Sequence, residues 1–228
     1  MERLSADTVL LFSGLDPSGA AGIAADIETI NQFGVTSLPI ITTLTAQNTQ
    51  KVLSLEPTNN LFLNDQFRLI DNDIYFKTVK IGLLGSLSQI ETISRLLSTR
   101  KDFVIILDPI IMSSSNNELS SNDMIDMMKK VLIPLCTLIT PNLEELKLLA
   151  PGLDEKLAVK SLNCPWTLIT TSDSSEIEIE HRLYHYSDLI RKFSYKKLPG
   201  KFHGSGCTLS SDISALIATG VEKASHSV

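Results

Sequence analysis

Short apolar runs alternate along this chain with longer amphipathic stretches, and this alternation constrains the fold more than any other feature of the sequence. The runs Thr8–Phe12, Ser37–Thr45 and Phe103–Pro109 have the length and composition of buried strands. Between the first two, Ala20–Phe33 places apolar residues three and four positions apart and is followed by Gly34, as at the end of a helix. Repeated strand and helix units build a mostly parallel sheet with helices on its faces. The sequence therefore predicts an α/β fold.

The same alternation continues toward the C-terminal part of the chain. Thr78–Gly85 and Trp166–Ile169 are predicted strands, and Met124–Val131 keeps the spacing of a helix. Ile177–Tyr186 alternates apolar and polar residues, as a half-exposed strand does, and an exposed strand of this kind can pair across a homodimer. With 228 residues, 43% of them hydrophobic, we expect one domain over residues 1–228.

Charge and cysteine content exclude several classes of protein. The net charge is −6, and the basic residues form no patch, so we expect no nucleic-acid partner. The three cysteines are far apart in sequence, which favours neither a disulfide framework nor a thiolate metal site. No apolar stretch has membrane-spanning length, and the N-terminus lacks a leader pattern. We therefore expect a soluble, cytoplasmic protein without a membrane partner.

The segment His203–Ser210 surrounds one cysteine with two glycines and several hydroxyl residues, just where a helix is predicted to begin. Glycines allow close approach of the backbone to a ligand, and the first N–H groups of a helix attract anions. Cys207 falls in the first turn, where the local field favours the thiolate. The alternative is an ordinary helix start in which Cys207 packs as a small apolar residue. The segment alone leaves both interpretations open.

Polar residues follow several of the predicted strands. In open α/β sheets ligands bind at the carboxyl ends of the strands, so these clusters together outline a cleft. Neither a P-loop nor a dinucleotide fingerprint is present, so any phosphate chemistry depends on the glycine segment near the C-terminal end. The clusters are Ser13–Gly19, Thr45–Thr49, Gly82–Gly85, Asp108–Pro109 and Thr140–Glu145.

Taken in order, these motifs resemble those of the hydroxymethylpyrimidine and phosphomethylpyrimidine kinases of thiamine biosynthesis, members of the ribokinase superfamily. The most specific matches are Gly14–Asp26, Thr45–Thr49 and His203–Ser210, and the resemblance extends from about residue 8 to residue 220. It implies a ribokinase-like three-layer α/β/α fold with a mostly parallel central sheet. It also implies ATP-dependent phosphorylation of 4-amino-5-hydroxymethyl-2-methylpyrimidine and then of its monophosphate, with ATP and Mg²⁺ as cofactors.

The resemblance also assigns residues to the substrate and to the chemistry. Gln47 matches the glutamine that binds the pyrimidine ring, and its amide has both a donor and an acceptor for that edge. Most relatives in the superfamily carry aspartate where this chain has Cys207, which we expect to accept or orient the proton of the substrate hydroxyl. The backbone around it is expected to stabilise the transferring phosphoryl group. The resemblance further implies substrate contacts by Gly14, Asp26, Leu83 and Ile110. It also implies a catalytic segment of Gly204, Ser205, Gly206 and Cys207.

A second set of residues matches the nucleotide side of the family site. Asn142, Glu145, Thr170 and Thr208 are expected to contact nucleotide or phosphate, and Asp108 and Glu145 to hold Mg²⁺ through water. Two alternatives stay open. Asn142 follows Pro141 and suits a helix N-cap, and Asp26 suits a solvent-facing acid on its helix.

Two departures from the family pattern bear on nucleotide binding. Relatives have a Lys-Gly-Gly-His type turn where this chain has Thr170–Ser175, and only Val221–Val228 follow Gly220, so we expect a domain that is short at its C-terminus. Three functions remain open at this point: an active pyrimidine kinase, a kinase for a pyridoxal-type ring, and a non-catalytic pyrimidine-binding protein. Lys80 and the Thr45–Thr49 match favour the pyrimidine.

Overall fold

The computed structural model describes residues 7–111, 119–170, 178–197 and 203–220. The strands in these ranges are β1 (Thr8–Leu15), β2 (Thr36–Gln47), β3 (Val52–Pro57), β4 (Thr78–Ile81), β5 (Val104–Leu107), β6 (Leu138–Ile139), β7 (Trp166–Ile169), β8 (Glu178–His185) and β9 (Asp188–Lys196). The helices are α1 (Gly22–Gln32), α2 (Asn60–Asp73), α3 (Leu87–Leu97), α4 (Asn122–Met127), α5 (Leu143–Leu149), α6 (Glu155–Leu162) and α7 (Ser205–Ala218). A π-helical turn (Met128–Leu132) and a short 3₁₀ helix (Ile133–Leu135) follow α4.

The strands form a single sheet in the order β3-β2-β1-β4-β5-β6-β7-β8-β9. From β2 to β7 every neighbouring pair is parallel. An antiparallel β3 extends one side, and the antiparallel β8 and β9 extend the other. The prediction of an α/β fold with a mostly parallel sheet is therefore confirmed.

Helices cover both faces of this sheet, because alternate residues of its buried strands point to opposite sides. On one face, Phe12 and Ile81 belong to a large apolar cluster with residues of α2 to α6. On the other face, Val9 and Leu11 pack with α1 and with Ala215 of α7. The result is the three-layer α/β/α arrangement expected from the sequence.

The predicted half-exposed strand is present as β8, but its role differs from the expectation. Leu183 of β8 pairs with Arg191 of β9, and Leu168 of β7 pairs with Leu183 on the other side. Both backbone edges of β8 are therefore occupied, so the expectation that this strand pairs across a dimer is wrong. Ile177, the first residue of the predicted strand, lies outside the described residues.

The parallel centre of the sheet brings six strand ends to one edge, and the predicted clusters lie there. Asp16 follows β1, Gly82 follows β4 and Asp108 follows β5, while Gln47 is the last residue of β2. Thr170 follows β7 and bridges to the segment after β6. Within the described ranges, no helix is both long and apolar enough to cross a membrane.

Candidate active site

The glycine segment before α7 packs directly on the loop that follows β1. Gly204 has φ +84°, and a side-chain carbon there would collide with the carbonyl oxygen of Ala20. Gly22, with φ +60°, is held in the same way against the carbonyl oxygen of Gly14. Only glycine combines a positive φ with so close an approach. Gly204 seats the start of α7 against the loop after β1, and Gly22 seats the start of α1 against the end of β1.

Helix α7 begins at Ser205, so the sequence prediction of a helix start within the glycine segment is confirmed. Ser205, Gly206 and Thr208 are exposed, whereas Cys207 is only 7% exposed. The first N–H groups of a helix have no partner within it, so this exposed turn presents donors to an anion. Thr208 directs its hydroxyl to the carbonyl oxygen of Gly204 at 3.2 Å.

Below this turn lies a buried polar network that connects three elements. The Lys80 Nζ of β4 lies 2.7 Å from Oδ1 of Asp26 in α1, and both side chains are fully buried. Ser211 of α7 donates its hydroxyl to the same oxygen at 2.9 Å. Across the described parts of the chain, Oδ2 of Asp26 has no hydrogen-bond partner. The alternative in which Asp26 is a solvent-facing helix acid is therefore wrong, since the residue is 0% exposed.

Cys207 and Asp108 lie beside this network and influence each other's protonation. Burial raises the pKa of Cys207 to about 12. The positive charge of Lys80 lowers this pKa by a smaller amount, and the negative charges of Asp108 and Asp26 raise it further. The expectation that the helix start favours a thiolate at Cys207 is thus wrong for this structure. Desolvation of a buried sulfur outweighs the field of the helix start.

Asp108 closes the site from the end of β5. Its carboxylate accepts from the hydroxyl of Ser210 at 3.3 Å. Burial raises the pKa of Asp108, with Lys80 opposing and Asp26 reinforcing the shift. A carboxylate in this setting binds its proton more tightly than an exposed one does.

Asp16 connects the loop after β1 with the segment just before α7. Its carboxylate accepts from the backbone N–H of Ser18 at 2.8 Å and of Ala21 at 3.1 Å. His203 Nε2 lies 3.1 Å from Oδ2. Burial alone would raise the pKa of Asp16, but these hydrogen bonds outweigh it and lower the pKa. The acid is therefore an ionised hydrogen-bond acceptor.

The predicted ring-lining residues also gather at the strand ends. The Leu83 side chain packs so closely on Gly14 that a Cβ there would lie 3.0 Å from Leu83 Cδ2. The carbonyl of Leu83 accepts from the hydroxyl of Thr42. Ile110 is half-buried, and its Cδ1 would lie 3.7 Å from a Cβ at Gly82. Leu83, Gly14 and Ile110 thus border the end of β4.

Three of the predicted nucleotide residues, Asn142, Glu145 and Thr170, form a separate group at the start of α5, whereas Thr208 lies in the first turn of α7. Asn142 is the N-cap: its Oδ1 accepts from the N–H of Glu145 at 2.8 Å, and Glu145 Oε2 accepts from the N–H of Asn142 at 2.9 Å. This capping box confirms the N-cap alternative for Asn142. Thr170 lies beside it, with its N–H bonded to the carbonyl oxygen of Pro141 at 3.0 Å. The rest of the predicted Thr170–Ser175 turn lies outside the described residues.

Several residues of the site were not singled out from the sequence as functional. They are Asp16, His203, Ser210 and Ser211, together with the ion-pair role of Lys80. Lys80 carried a signal, because a lysine inside the otherwise apolar strand Thr78–Ile81 needs a buried partner. Ser210 and Ser211 carried no such sequence signal, because their position on the inner face of α7 depends on how that helix packs on the sheet.

The arrangement suits transfer of a charged group to a small molecule held at the strand ends. An exposed helix start for an anion lies at the same edge of the sheet as the half-buried Gln47 and the apolar side chains of Leu83 and Ile110, and Ser211 of the same helix contacts the buried Lys80–Asp26 pair. On a three-layer α/β/α fold, such a site is typical of a small-molecule kinase of the ribokinase-like class that the sequence motifs imply.

Comparison with known proteins identifies the family within this class. The family model for phosphomethylpyrimidine kinase matches residues 16–227, and the chain belongs to that family. It is 34% identical over 215 residues to a hydroxymethylpyrimidine/phosphomethylpyrimidine kinase of Aquifex aeolicus, covering 90% of this chain and 84% of the relative. The corresponding protein of Staphylococcus aureus strain MSSA476 is 27% identical over 221 residues, covering 92% and 80%. The resemblance stated from the sequence motifs is thereby confirmed.

Solved structures agree with the family and the fold. Phosphomethylpyrimidine kinase of Clostridium difficile 630 superposes with a TM-score of 0.78 at 29% identity, covering 95% of this chain and 92% of that one. An ADP complex of Bacillus subtilis pyridoxal kinase superposes with a TM-score of 0.85 at 25% identity, covering 96% and 86%. The ribokinase-like fold and the phosphotransferase class expected from the sequence are both confirmed.

Proposed function

We propose that this protein uses ATP to phosphorylate the hydroxymethyl group of 4-amino-5-hydroxymethyl-2-methylpyrimidine, and then the resulting monophosphate. One observation carries the proposal for this chain. The glycine segment that begins α7 is seated at the end of β1, where His203 Nε2 lies 3.1 Å from Asp16, and Thr45, two residues before the ring-binding candidate Gln47, is tied to the same strand by a 2.8 Å hydrogen bond to the carbonyl oxygen of Leu15. The candidate groups for ring recognition and for phosphoryl transfer thus meet at the end of β1. The named activity of the Aquifex aeolicus relative supports the same reaction.

In this proposal the chain binds the pyrimidine through Gln47, with Leu83 and Ile110 as apolar walls and Gly14 beneath them. The hydroxymethyl group then points to the first turn of α7. The backbone N–H groups of Gly204, Ser205 and Gly206 stabilise the charge of the transferring phosphoryl group. Asp26, whose Oδ2 has no hydrogen-bond partner among the described residues, is a further candidate for a substrate contact.

Cys207 acts in the proposal as a neutral thiol that orients the substrate hydroxyl. With its pKa raised to about 12 it is protonated at physiological pH, so it is a weak base at rest. Phosphoryl transfer depends more on positioning and charge neutralisation than on a strong base, so a thiol suffices. As the hydroxyl oxygen bonds to the γ-phosphorus and the bond from that phosphorus to ADP breaks, the hydroxyl proton passes to an oxygen of the transferred phosphoryl group, and the thiol of Cys207 stays protonated throughout.

ATP is the phosphoryl donor, with Asn142, Thr170 and Thr208 on the nucleotide side. The Bacillus subtilis pyridoxal kinase was solved as an ADP complex, which supports a nucleotide in this chain as well. Within the described ranges, no three His, Cys, Asp or Glu side chains are grouped as a metal site. This fits Mg²⁺, which binds through phosphates and water with only one or two carboxylates. Asp108 and Glu145 would hold it through water, and it would neutralise phosphate charge.

A pyridoxal-type ring is the second candidate substrate. The structural similarity to the Bacillus subtilis pyridoxal kinase supports it. The Thr45–Thr49 motif favours the aminopyrimidine, because Gln47 offers both a donor and an acceptor to that ring edge. We therefore rank the pyrimidine first.

The test is turnover by the purified protein with Mg-ATP and the hydroxymethylpyrimidine, followed by mass spectrometry of the phosphorylated product. Product should form, and Cys207→Ala should lower kcat by about 100-fold or more while pyrimidine binding persists. Cys136→Ala is the matched control, because Cys136 is also a buried free thiol. Full activity in Cys207→Ala would refute the role of that residue. No product from the wild-type protein, with pyrimidine binding intact, would favour a non-catalytic binding protein.

Cellular location and assembly complete the proposal. The free thiols of Cys136, Cys164 and Cys207 support a reducing, cytoplasmic location. A homodimer stays a prediction, without the strand pairing first expected for it.

A further inference from the structure

Gln89 of α3 is a fully buried amide whose hydrogen bonds join three parts of the fold. Its Oε1 accepts from the backbone N–H of Gly85 at 2.9 Å. Its Nε2 donates to the carbonyl oxygen of Thr42 in β2 and, at 3.0 Å, to that of Thr58 just before α2. Because a backbone N–H only donates and a carbonyl only accepts, the amide has a single orientation. Its oxygen and both of its hydrogens are thus engaged.

These contacts go beyond what a glutamine at this place in a helix usually does. Ser86 is the N-cap of α3 and accepts from the N–H of Gln89 at 3.3 Å. In a capping box the glutamine side chain would turn back to the N–H of the N-cap residue itself. The Gln89 side chain instead bonds to Gly85, the residue before the cap, and continues to β2 and to the segment before α2. Gln89 therefore ties the loop after β4 to both of them.

Thr42 makes a second connection between β2 and the same loop. It is 0% exposed, and its hydroxyl donates to the carbonyl oxygen of Leu83. The Leu83 side chain is also held, because its Cδ2 would lie 3.0 Å from a Cβ at Gly14 of β1. Two residues further, a Cβ at Gly85 would lie 3.0 Å from Cγ of Pro57 in β3. Close packing and two buried polar side chains therefore fix this loop on the first three strands.

We propose that Thr42 and Gln89 are positioning residues that fix the apolar wall at Leu83 and thereby set the fit of the substrate ring. The inference rests on the proposed role of Leu83 in lining the ring pocket. Both residues are 0% exposed, so Thr42 acts through the Leu83 backbone and Gln89 through Gly85. In an apolar pocket, the fit of one methylene changes affinity by about tenfold or more. A displaced wall should therefore weaken ring binding.

The experiment uses Thr42→Val, which keeps the branched shape of the side chain and removes the donor to Leu83. Dissociation constants of the hydroxymethylpyrimidine and of ADP are measured by calorimetry, each ligand alone, at a temperature where the variant is folded. We expect the Kd of the pyrimidine to rise by about tenfold while the Kd of ADP stays unchanged. Loss of stability alone would change neither constant. An unchanged Kd for the pyrimidine, or equal weakening of both ligands, would overturn the inference.

Two variants separate positioning from packing. Thr167→Val makes the same change in β7, where Thr167 is also 0% exposed and its hydroxyl has no hydrogen-bond partner among the described residues. Thr42→Ser removes a methyl group but retains the hydroxyl that donates to Leu83. Both variants should bind the pyrimidine with the wild-type Kd. A loss in either one equal to that in Thr42→Val would show that the hydrogen bond is not the cause and would overturn the inference.

A measurement on the free protein tests the position of the wall directly. The NMR methyl signals of Leu83, assigned by their loss in Leu83→Ile, should shift in Thr42→Val and in Gln89→Met, and should stay in place in Thr167→Val. Unchanged Leu83 signals in both loop variants would overturn the inference. The binding and NMR measurements need no turnover, and the NMR measurement needs no ligand. Failure of the proposed kinase activity and failure of this inference are therefore distinguishable.

Discussion

Lys80 and Asp26 form an ion pair of 2.7 Å in which neither side chain is exposed to solvent. Burial alone would lower the pKa of Lys80, but Asp26 and the nearby Cys207 and Asp108 outweigh it, and the pKa is raised. The lysine is therefore charged. It supplies a fixed positive charge beneath Cys207, at the point where the proposed reaction gathers negative charge.

Removing one partner of this pair should destabilise the protein strongly. Lys80→Met leaves a buried carboxylate without its counter-charge, and we expect the free energy of unfolding to fall by about 3–5 kcal/mol. Urea denaturation monitored by circular dichroism measures the change. Lys147→Met is the matched control, because Lys147 pairs with Glu144 at 2.7 Å but is 68% exposed. That variant should stay within about 0.5 kcal/mol of wild type; equal losses in both would contradict the importance of burial for this pair.

The raised pKa of Cys207 makes a prediction about stability at high pH. The folded value is about 12 and the ordinary value is 9.0, so the unfolded chain loses this proton first as the pH rises. The stabilisation is therefore complete below pH 9 and is lost above it. Relative to Cys207→Ser, wild type should lose about 2 kcal/mol between pH 9 and pH 10.5. Urea denaturation of both proteins across this range measures it, and a constant difference would show that the thiol is not held neutral by burial.

Gly204 tests how closely α7 must approach the loop after β1. Gly204→Ala combines a strained positive φ with a collision against the carbonyl of Ala20, so the helix start must shift. Gly152→Ala is the control, with φ +77° and nothing within 4 Å of a Cβ. Both should lose about 1–2 kcal/mol from backbone strain. Only Gly204→Ala should also lower kcat, by about 100-fold, because a small misplacement of catalytic groups has effects of that size. Unchanged turnover in it would contradict the proposed role of the segment.

Asn142 combines a structural role with a proposed nucleotide role, and the two are separable. Asn142→Ala removes the N-cap of α5 and should cost about 1 kcal/mol of stability. Asp154→Ala removes the equivalent cap of α6, where Asp154 accepts from the N–H of Leu157 at 2.9 Å. Both losses should be similar by urea denaturation. Only Asn142→Ala should raise the KM for ATP. If the two variants have the same KM for ATP, Asn142 acts only as a helix N-cap and the nucleotide role is contradicted.

The strands that carry the site were predictable from sequence because their residues are buried on both faces. Thr8–Leu15 is almost wholly buried, so its apolar run is unmistakable. Helix α2 (Asn60–Asp73) was not predicted, and its exposure explains why. Leu61, Phe62 and Leu69 are 75%, 62% and 70% exposed, so apolar residues do not mark one face of that helix.

The electrostatics of the site were less predictable than its position. The helix-start rule favoured a thiolate at Cys207, but the rule takes no account of the burial that overrides it. Asp26 and Lys80 are 54 positions apart, so no local pattern reveals that they form a pair. The ring and glycine motifs were recognisable separately; that His203, just before the glycine segment, contacts Asp16 at 3.1 Å depends on the packing of α7 against the end of β1.

The most direct test of the kinase proposal is a competition in one reaction. Equal concentrations of the hydroxymethylpyrimidine and pyridoxal are incubated with Mg-ATP and the protein, and both phosphorylated products are quantified by mass spectrometry. We predict that the phosphorylated pyrimidine predominates and that Gln47→Ala removes this excess. Pyridoxal phosphate as the main product, or no phosphorylated product at all, would contradict the proposed function.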